Sequence, residues 1–231
     1  MAQVRVTESE SANGRSRDSG RWQDILDAFT RNVAEHGYAG SNFSEIASEL
    51  GISKGTIVHH FGTKSKMFAQ MHDGYMDRRL AEAERIIAAF DGPVRRLAGL
   101  MFAFLKYQEI DRSATIAFQR EVPTLATHAE LERSRELRSR YLGLVRAVIA
   151  DGVTSGAFRD LDVGIQSLLI FGASQWSWTW FRPGERLTSL EAGGQLVQLV
   201  LGGLLVDRLT VDDLADPQGH VAETVERILT S

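Results

Sequence analysis

Apolar residues recur at spacings of three and four along almost the whole chain, and this periodicity restricts the fold more than any other feature. Near the N-terminus one such stripe marks a first helix, which ends at Gly37: Trp22, Ile25, Leu26, Phe29 and Val33. Runs of alternating apolar and polar residues, typical of half-buried strands, are almost absent, and the 231 residues include only 4 prolines. The sequence therefore predicts an all-α protein.

Two short helices follow the first one and meet at a tight turn. Asn42 and Glu45 form a capping-box pattern that predicts the start of the second helix, and Gly51 predicts its end. A third helix is predicted over 54–61, just before the start of a long helix. Two short helices joined by a glycine turn are the helix-turn-helix pattern, whose second helix enters the major groove of DNA.

Longer helices are predicted beyond this unit, over residues 64–90, 93–110, 113–122, 127–151, 162–181 and 188–209. Two of them are predicted to begin with capping boxes, from Thr127 to Glu130 and from Thr188 to Glu191. The chain thus divides into a polar, disordered arm over 1–20, a helix-turn-helix domain over 21–66 and a larger helical domain over 67–231.

Positive charge is concentrated locally rather than over the whole chain. With 26 Lys and Arg against 30 Asp and Glu, the formal net charge is −4, which favours no class of partner. The segment 51–68 carries Lys54, Lys64 and Lys66 and no acidic residue, so it suits contact with phosphates. A solvated basic face on any helical protein would show the same charges, and this alternative stays open.

Several other classes of protein do not fit the sequence. The chain has no cysteine, which excludes disulfides, Cys-bound metal centres and a thiol nucleophile, and which fits a reducing cytoplasm. The N-terminal segment lacks the apolar stretch of a signal peptide, and the apolar run over 196–206 is too short to span a bilayer. We therefore expect a cytoplasmic protein with no membrane association and no cofactor.

Two short patterns suggest chemistry but are better explained by the helix-turn-helix. The residues from Gly51 to Gly55 have the spacing of a hydrolase nucleophile elbow, which needs a strand before the serine, and none is predicted. His59 and His60 are adjacent and project from different sides of a helix, so they are poor joint ligands for a metal. We expect neither an enzyme nor a metal site.

The amino-acid sequence of the N-terminal part resembles that of a known family. The stretches that carry the resemblance are Ile25-Leu-Asp-Ala, Gly37-Tyr38, Phe43 to Phe61, and Gly62 to Phe68, all in register. Together they are similar to the N-terminal domain of the tetracycline-repressor (TetR) family. In that family a larger, variable helical domain follows, which binds a small molecule and dimerises. The resemblance therefore implies a DNA-binding transcriptional regulator.

The resemblance also implies which residues contact DNA. The recognition-helix positions that face DNA correspond to Ser53, Lys54, Gly55, Thr56 and His59. The positions that hold the phosphate backbone correspond to Ser41, Asn42, His60 and Lys64. Gly55 lets the helix approach base edges closely, and Thr56 offers them a hydroxyl and a methyl group.

The chain departs from the family pattern at two places. Val58 stands where members usually carry a tyrosine, whose hydroxyl would reach a phosphate. Phe29 replaces the usual alanine and Val33 the usual phenylalanine, an exchange of volume one turn apart that keeps the core filled. Because of Val58, an effector-binding protein of the same fold without specific DNA binding is the alternative function.

Two predicted helices near the C-terminus, 162–181 and 188–209, are apolar nearly all round. Each needs cover on both sides, so we expect one side to face the domain core and the other a second copy of the chain. Such a homodimer presents two recognition helices to a palindromic operator, with half-site centres about 34–36 Å apart or slightly more. A monomer with both helices buried centrally is the alternative.

The residues from Trp176 to Leu187, together with the last predicted helix and its paired glycines, are similar to TetR members that control lipid, sterol or acyl-chain breakdown and respond to acyl-CoA thioesters. This implies a repressor that a small hydrophobic effector releases from its operator. Four aromatic residues either line the effector pocket or fill the core: Phe104, Tyr107, Phe118 and Trp176. The arginine-rich run over 133–140 is interpreted as a solvated face with intrahelical pairs, or alternatively as a grip on an anionic ligand.

Overall fold

The computed structural model describes residues 7–123 and 129–231, with side chains from 20 to 123 and from 130 to 231. Over these ranges the backbone is helical apart from turns and one bridge between Phe158 and Leu205, which confirms the all-α prediction. The helices are α1 (Thr7–Gly40), α2 (Phe43–Glu49), α3 (Lys54–Phe61), α4 (Lys64–Ala89), α5 (Pro93–Ile110), α6 (Arg112–Arg120), α7 (Glu132–Thr154), α8 (Val163–Gln175), α9 (Ser177–Trp180), α10 (Ser189–Leu204), α11 (Val211–Ala215) and α12 (His220–Thr230).

The first helix extends further toward the N-terminus than the sequence predicts. It begins at Thr7, inside the segment 1–20 for which a disordered arm is expected, while residues 1–6 lie outside the described part. The segment has no proline, and a helix anchored by Ile25 and Phe29 can add turns without a new nucleation step. At Gly37 the backbone leaves the helical path with φ 76°, which is the predicted break.

The helices α1, α2 and α3 pack with the start of α4 around one apolar cluster. Phe29 and Val33 are both fully buried in it, as the proposed exchange of volume requires. Trp22 stacks on Phe61 with ring centroids 5.5 Å apart, which joins α1 to α3. The same cluster includes Met67, Phe68 and Met71 of α4, so this helix continues the N-terminal core beyond residue 66.

A second, larger cluster is built around α5, which contacts α4, α6, α7, α8, α10, α11 and α12. The helix α10 packs closely on both α5 and α11, because two of its glycines leave room for them. A Cβ on Gly193 would lie 2.7 Å from the Phe102 ring, and one on Gly194 would lie 2.2 Å from the Ala215 carbonyl oxygen. Any larger residue at these two positions would push α10 away from the core.

Three predicted helix boundaries differ from the structure. The helix predicted from 127 begins at Glu132, and Thr127 itself lies outside the described residues. The helix predicted over 162–181 is interrupted between α8 and α9. The helix predicted over 188–209 begins with its capping box at Thr188 but ends at Leu204, because the next residues pair with the segment after α7 through Arg159 N–H to Leu204 O and Val206 N–H to Ala157 O.

The C-terminal helix α12 was not predicted, although its pattern is amphipathic. Val221, Ala222 and Val225 are buried at helical spacing against α4 and α5. Among the residues that the structure describes, no helix has the length and apolar character needed to cross a membrane.

Candidate DNA-binding surface and effector cavity

The helix α3 is amphipathic, and its polar side is open to solvent. Ile57 and Phe61 face the N-terminal core, whereas Lys54, Gly55, Val58 and His59 are exposed on the opposite side. The turn before α3 uses Gly51 with φ +62°, a conformation that favours glycine. This exposed side of α3 is called the recognition face below.

Ser53 and Thr56 of the predicted DNA contacts also build the start of α3. Ser53 is the N-cap residue, and its Oγ accepts a hydrogen bond of 3.1 Å from the Thr56 N–H. The two hydroxyl oxygens lie 3.0 Å apart. Both hydroxyls are therefore held in place at the N-terminal end of the recognition face, which is the end that contacts base edges in this motif.

Asn42 and His60 lie at the flanks of this face. Asn42 caps α2 through its Oδ1, which accepts from the N–H groups of Ser44 (3.0 Å) and Glu45 (2.9 Å). Asn32 donates a hydrogen bond to the Glu45 carboxylate, and this bond lowers the Glu45 pKa. The second bond of the predicted capping box, from the Asn42 N–H to the Glu45 carboxylate, is not among the contacts of this cap. His60 is partly buried, with its ring near that of Phe61.

Ser41 and Lys64, to which the resemblance assigns phosphate contacts, both make contacts within the protein. Ser41 is 2% exposed, and its hydroxyl donates to the Tyr38 carbonyl. The Lys64 ammonium donates to the Ser41 carbonyl at 2.5 Å and lies 4.6 Å from the centre of the Tyr38 ring. Its partial burial lowers the Lys64 pKa. Both side chains therefore stabilise the turn between α1 and α2, because carbonyl groups left free at the end of α1 need donors.

The end of α6 holds the end of α1. Arg120 donates from Nη1 to the carbonyl oxygens of Ala34 (3.2 Å) and Glu35 (3.0 Å), and the Tyr38 N–H donates to Glu121 at 2.9 Å. Cations at the C-terminal end of a helix stabilise it because they meet free carbonyl groups. These contacts connect the helix-turn-helix unit to the larger domain, and the sequence analysis did not predict them.

The larger domain contains a cavity between α4, α5, α6, α7 and α8, which we call the effector cavity. Its free volume is about 60 Å³, and its wall is formed by Tyr75, Met76, Arg79, Phe104, Tyr107, Phe118, Gln119, Arg138, Tyr141, Leu142, Leu168, Phe171 and Gln175. Three of the four aromatic candidates, Phe104, Tyr107 and Phe118, lie on this wall. Trp176 does not, because it ends α8 on the outside of the domain and is 65% exposed.

Two arginines line the effector cavity in different electrostatic settings. Arg79 is 4% exposed, pairs with Glu82 at 2.8 Å and Asp111 at 3.6 Å, and lies over the Tyr107 ring at 4.0 Å. Burial raises the Glu82 pKa. Arg138 is half-buried and has no ion pair or hydrogen bond with the residues that the structure describes, and desolvation lowers its pKa. Only Arg79 is thus compensated by protein carboxylates.

The other arginines of this run mostly cross to a neighbouring helix rather than pair within α7. Arg133 contacts Asp77 at 2.8 Å and Arg140 contacts Glu84 at 3.9 Å, both on α4. Arg133 and Arg140 are exposed, so they fit the interpretation of this run as a solvated face. Of the four arginines at positions 133, 135, 138 and 140, only Arg138 is part of the cavity wall. No group of three or more His, Cys, Asp or Glu suited to a metal ion occurs within the described ranges.

An apolar surface is formed by exposed residues on or just after α8 and α10, two helices that contact each other. Its exposed residues are Ile165, Leu168, Leu169, Trp176, Leu199 and Val206. Gly172, Gly202 and Gly203 on the same helices have open space where a Cβ would lie. We call this the α8–α10 surface. Exposed apolar residues in such a group mark an interaction site, and the glycines permit close approach of another helix.

Two family models match the chain. One, described as bacterial regulatory proteins of the tetR family, matches residues 25–71. The other, described as the tetracyclin repressor-like C-terminal domain, matches residues 91–204. The two regions coincide with the helix-turn-helix unit and with most of the domain that holds the effector cavity.

Relatives with known names are similar over most of their length. The HTH-type transcriptional repressor KstR2 of Mycobacterium tuberculosis (strain ATCC 25618 / H37Rv) is 29% identical over 186 residues, 78% of this chain and 91% of that protein. The fatty acid metabolism regulator protein of Bacillus subtilis (strain 168) is 24% identical over 187 residues, 80% of this chain and 95% of that protein.

Solved structures show the same fold. The ketosteroid transcriptional regulator KstR2 of Mycobacterium tuberculosis superimposes with a TM-score of 0.75 at 28% identity, covering 81% of this chain and 96% of that one. AibR, solved in complex with isovaleryl coenzyme A and operator DNA, has a TM-score of 0.71 at 22% identity, covering 80% of this chain and 98% of that one.

Proposed function

The chain belongs to the tetR family of bacterial DNA-binding transcriptional regulators, and on this basis we propose that it is a homodimeric repressor of a palindromic operator. A small hydrophobic effector, such as an acyl-CoA thioester, binds the effector cavity and releases the protein from DNA. The observation that carries the proposal is the exposed recognition face on a helix-turn-helix unit that α6 connects to a cavity lined by aromatic residues.

The recognition face suits contact with DNA. Lys54 and His59 are exposed, Gly55 adds no side chain between them, and the hydroxyls of Ser53 and Thr56 are held at its N-terminal end. The exposed Lys66 and the amide group of Asn42 lie at the flanks, where phosphates run beside a helix in the major groove. This surface therefore provides both base contacts and phosphate contacts.

The names of the relatives support a lipid-like effector. KstR2 is named a ketosteroid regulator, the Bacillus relative is named a regulator of fatty acid metabolism, and AibR was solved with isovaleryl coenzyme A. In this chain the aromatic and apolar wall of the effector cavity suits an acyl chain or a ring system. The free volume of about 60 Å³ is far below the ~300 Å³ or more of a typical ligand pocket, so binding has to push the wall apart.

The displacement of the cavity wall on α6 couples effector binding to DNA binding. Phe118 and Gln119 of α6 line the cavity, and the next two residues, Arg120 and Glu121, hold the end of α1. An effector that moves α6 therefore moves α1, and with it α3, which contacts α1 through the stacked rings of Trp22 and Phe61. It shifts the population toward the DNA-free form only to the extent that it binds that form more tightly.

The α8–α10 surface is the dimer interface in this proposal. A two-fold contact between two copies of this surface covers its exposed apolar residues with the same residues of the other copy. The two recognition faces are then related by the same two-fold axis, which matches a palindromic operator. No catalytic activity is part of this proposal.

The test is fluorescence anisotropy of the purified chain on the DNA that flanks its gene, with random duplex as competitor and a salt series. We expect competitor-resistant binding that weakens by roughly a thousandfold or more between 50 and 200 mM salt. Thr56→Ala should reduce the preference for operator over random duplex, whereas Lys66→Ala should weaken binding to both equally. Binding no tighter than to random duplex anywhere in the flanking DNA would favour the alternative, an effector-binding protein without specific DNA binding.

A further inference from the structure

The effector cavity has an unmet demand for a hydrogen-bond acceptor. Arg79 Nη1, Tyr107 Oη and Tyr141 Oη are buried donors without a hydrogen bond of normal geometry, and all three residues line the cavity. The residues themselves are only 3–4% exposed. A buried donor that gives up water without gaining a partner destabilises the protein, so three of them on one wall call for an explanation.

Neighbouring protein groups do not remove this demand. Glu82 and Tyr107, and Tyr107 and Tyr141, are joined by loose side-chain hydrogen bonds whose geometry falls outside the usual limits, so each hydroxyl can still make a better one. Burial raises the pKa of both tyrosines, so both hydroxyls keep their protons and remain donors across the physiological range. The group that fits between them is therefore an acceptor that carries no proton of its own.

The acceptor that fits best is neutral. The charge of Arg79 is already compensated by Glu82 and Asp111, so a carboxylate beside it would add an excess negative charge in a buried place. A carbonyl oxygen has two lone pairs, carries no net charge and can accept from two of the three donors at once. Tyr75, the other tyrosine on the wall, already donates to Thr115.

The outer part of the cavity, in contrast, holds a positive charge that no carboxylate of the described residues compensates. Arg138 lies one helical turn before Tyr141 on the same side of α7, next to the half-exposed Leu168, and it has no counter-charge among the described residues. An uncompensated guanidinium at the edge of an apolar cavity is suited to a carboxylate or a phosphate.

We propose that the effector is an apolar acid or acyl thioester whose body carries a second oxygen, a carbonyl group. Arg79, Tyr107 and Tyr141 hold this carbonyl at the buried end of the cavity, and Arg138 pairs with the anionic group at the outer end. The inference rests on the proposed effector role of the cavity and narrows the ligand to an oxo-substituted class. A plain saturated acyl chain leaves the three donors without a partner.

The test is isothermal titration calorimetry with four probes on the full chain: decanoate, a set of oxodecanoates with the carbonyl at positions 5, 7 and 9, decan-2-one and decanoyl-CoA. For the wild type we expect at least one oxodecanoate to bind about fivefold or more tightly than decanoate, the gain from one hydrogen bond. In Tyr141→Phe this preference should become smaller, because one of the three donors is lost, while the affinity for decanoate changes less than twofold, since the ring is retained.

Arg138→Gln tests the outer end, with Arg140→Gln as its matched control on the same helix. Arg138→Gln should weaken every anionic probe about tenfold and leave decan-2-one unchanged, whereas Arg140→Gln should change none of them. If Arg138→Gln weakens decanoyl-CoA but not decanoate, the anion is a phosphate of the thioester rather than a free carboxylate.

Equal affinities for decanoate and every oxodecanoate would overturn the proposal, as would an equal loss of both in Tyr141→Phe. Absence of binding by all probes would also overturn it. Operator binding by the same samples is measured in parallel. Its presence would show that the regulator function stands while the ligand class is wrong, and its absence would place the failure in the proposed function itself.

Discussion

Val58 is an exposed residue in the middle of the recognition face, with 45% of its surface accessible. The family resemblance places a tyrosine here, and the structure leaves room for one because the side chain points into solvent. We predict that Val58→Tyr strengthens operator binding about fivefold, since the new hydroxyl donates one hydrogen bond to a phosphate, worth roughly 1 kcal/mol. Val58→Phe is the control, because it adds the ring without the hydroxyl. Anisotropy titrations that show the same gain for both variants would attribute the effect to apolar contact instead.

His72 is fully buried between the two apolar clusters. Its ring lies 4.5 Å from that of Phe68 and 5.1 Å from that of Phe118, and neither ring nitrogen has a hydrogen-bond partner. Desolvation lowers the His72 pKa to about 3. The folded protein therefore holds a neutral imidazole, while the unfolded chain takes up a proton near pH 6.5.

This difference makes stability fall as the pH falls from about 6.5 toward 3, because the unfolded state binds the extra proton. Between pH 7 and pH 5 the contribution of His72 to the free energy of unfolding should drop by about 2 kcal/mol, at 1.36 kcal/mol per pH unit below 6.5. His72→Leu should remove this part of the pH dependence and lose no hydrogen bond. The check is urea unfolding at both pH values, with the exposed His59→Leu as control. A pH dependence unchanged in His72→Leu would contradict the prediction.

At the scale of single residues, sequence reasoning placed side chains on faces better than it assigned their partners. The exposed set on α3 follows from helical periodicity and the resemblance. The inward turn of Ser41 and Lys64 depends on carbonyl groups at the end of α1, more than twenty residues away from Lys64 along the chain, and no local pattern reports that contact. Arg79 has Glu82 one turn further along its own helix, which the sequence shows, whereas its second carboxylate, Asp111, comes only from the packing of α4 against the α5–α6 junction.

At the scale of elements, α6 is the part that joins the two functional regions. It is nine residues long, its inner residues line the effector cavity, and its last residue bonds to the end of α1. Because α6 is short and is held at both ends, it moves as a rigid unit, and a displacement of its cavity side also displaces the end that contacts α1. The physical requirement for coupling is a contact that differs between the DNA-bound and effector-bound forms, and Arg120 is placed to be that contact.

We predict that Arg120→Gln lowers the coupling between effector and operator by about fivefold, since the two bonds to the Ala34 and Glu35 carbonyls are lost. The measurement is operator affinity with and without saturating decanoyl-CoA, together with the affinity for decanoyl-CoA alone, which should change less than twofold. Arg112→Gln is the matched control at the other end of α6, where the side chain bonds to the Phe181 carbonyl. Equal coupling in the Arg120 variant and the wild type would show that α6 does not transmit the signal through this contact.

The end of the first helix and the boundaries of α2 to α5 follow from capping residues, glycines and apolar spacing, whereas the later ones depend on tertiary contacts. The helix α10 ends at Leu204 because the following residues bond to the segment around Phe158, a partner that lies far away in the sequence. Beyond Leu209 the chain still contains apolar residues at helical spacing, Val221, Ala222 and Val225, so α12 has a local signal in the sequence. Packing of α12 on α4 and α5 then adds the burial that local propensity lacks.

At the scale of the whole molecule, dimerisation decides whether one recognition face or two contact an operator. Leu169 and Leu199 are 60% and 72% exposed in the single chain, which suits an interface residue and not a core residue. Replacing one of them with a charged residue therefore leaves the fold of the protomer intact. Any loss of function in such a variant comes from the missing partner rather than from unfolding.

We predict that Leu169→Arg converts the dimer into a monomer of about 25.6 kDa and weakens operator binding by about a hundredfold or more. The reason is that two guanidinium groups meet across the two-fold axis without a counter-charge, while binding of one half-site no longer brings the second recognition face into place. Sedimentation velocity and operator anisotropy measure the two effects on the same sample. Ile110→Arg is the control, since Ile110 is also an exposed apolar residue, 38% accessible, but lies at the end of α5 outside the α8–α10 surface. A Leu169→Arg variant that still sediments as a dimer would move the interface elsewhere on the molecule, and an Ile110→Arg monomer would do the same.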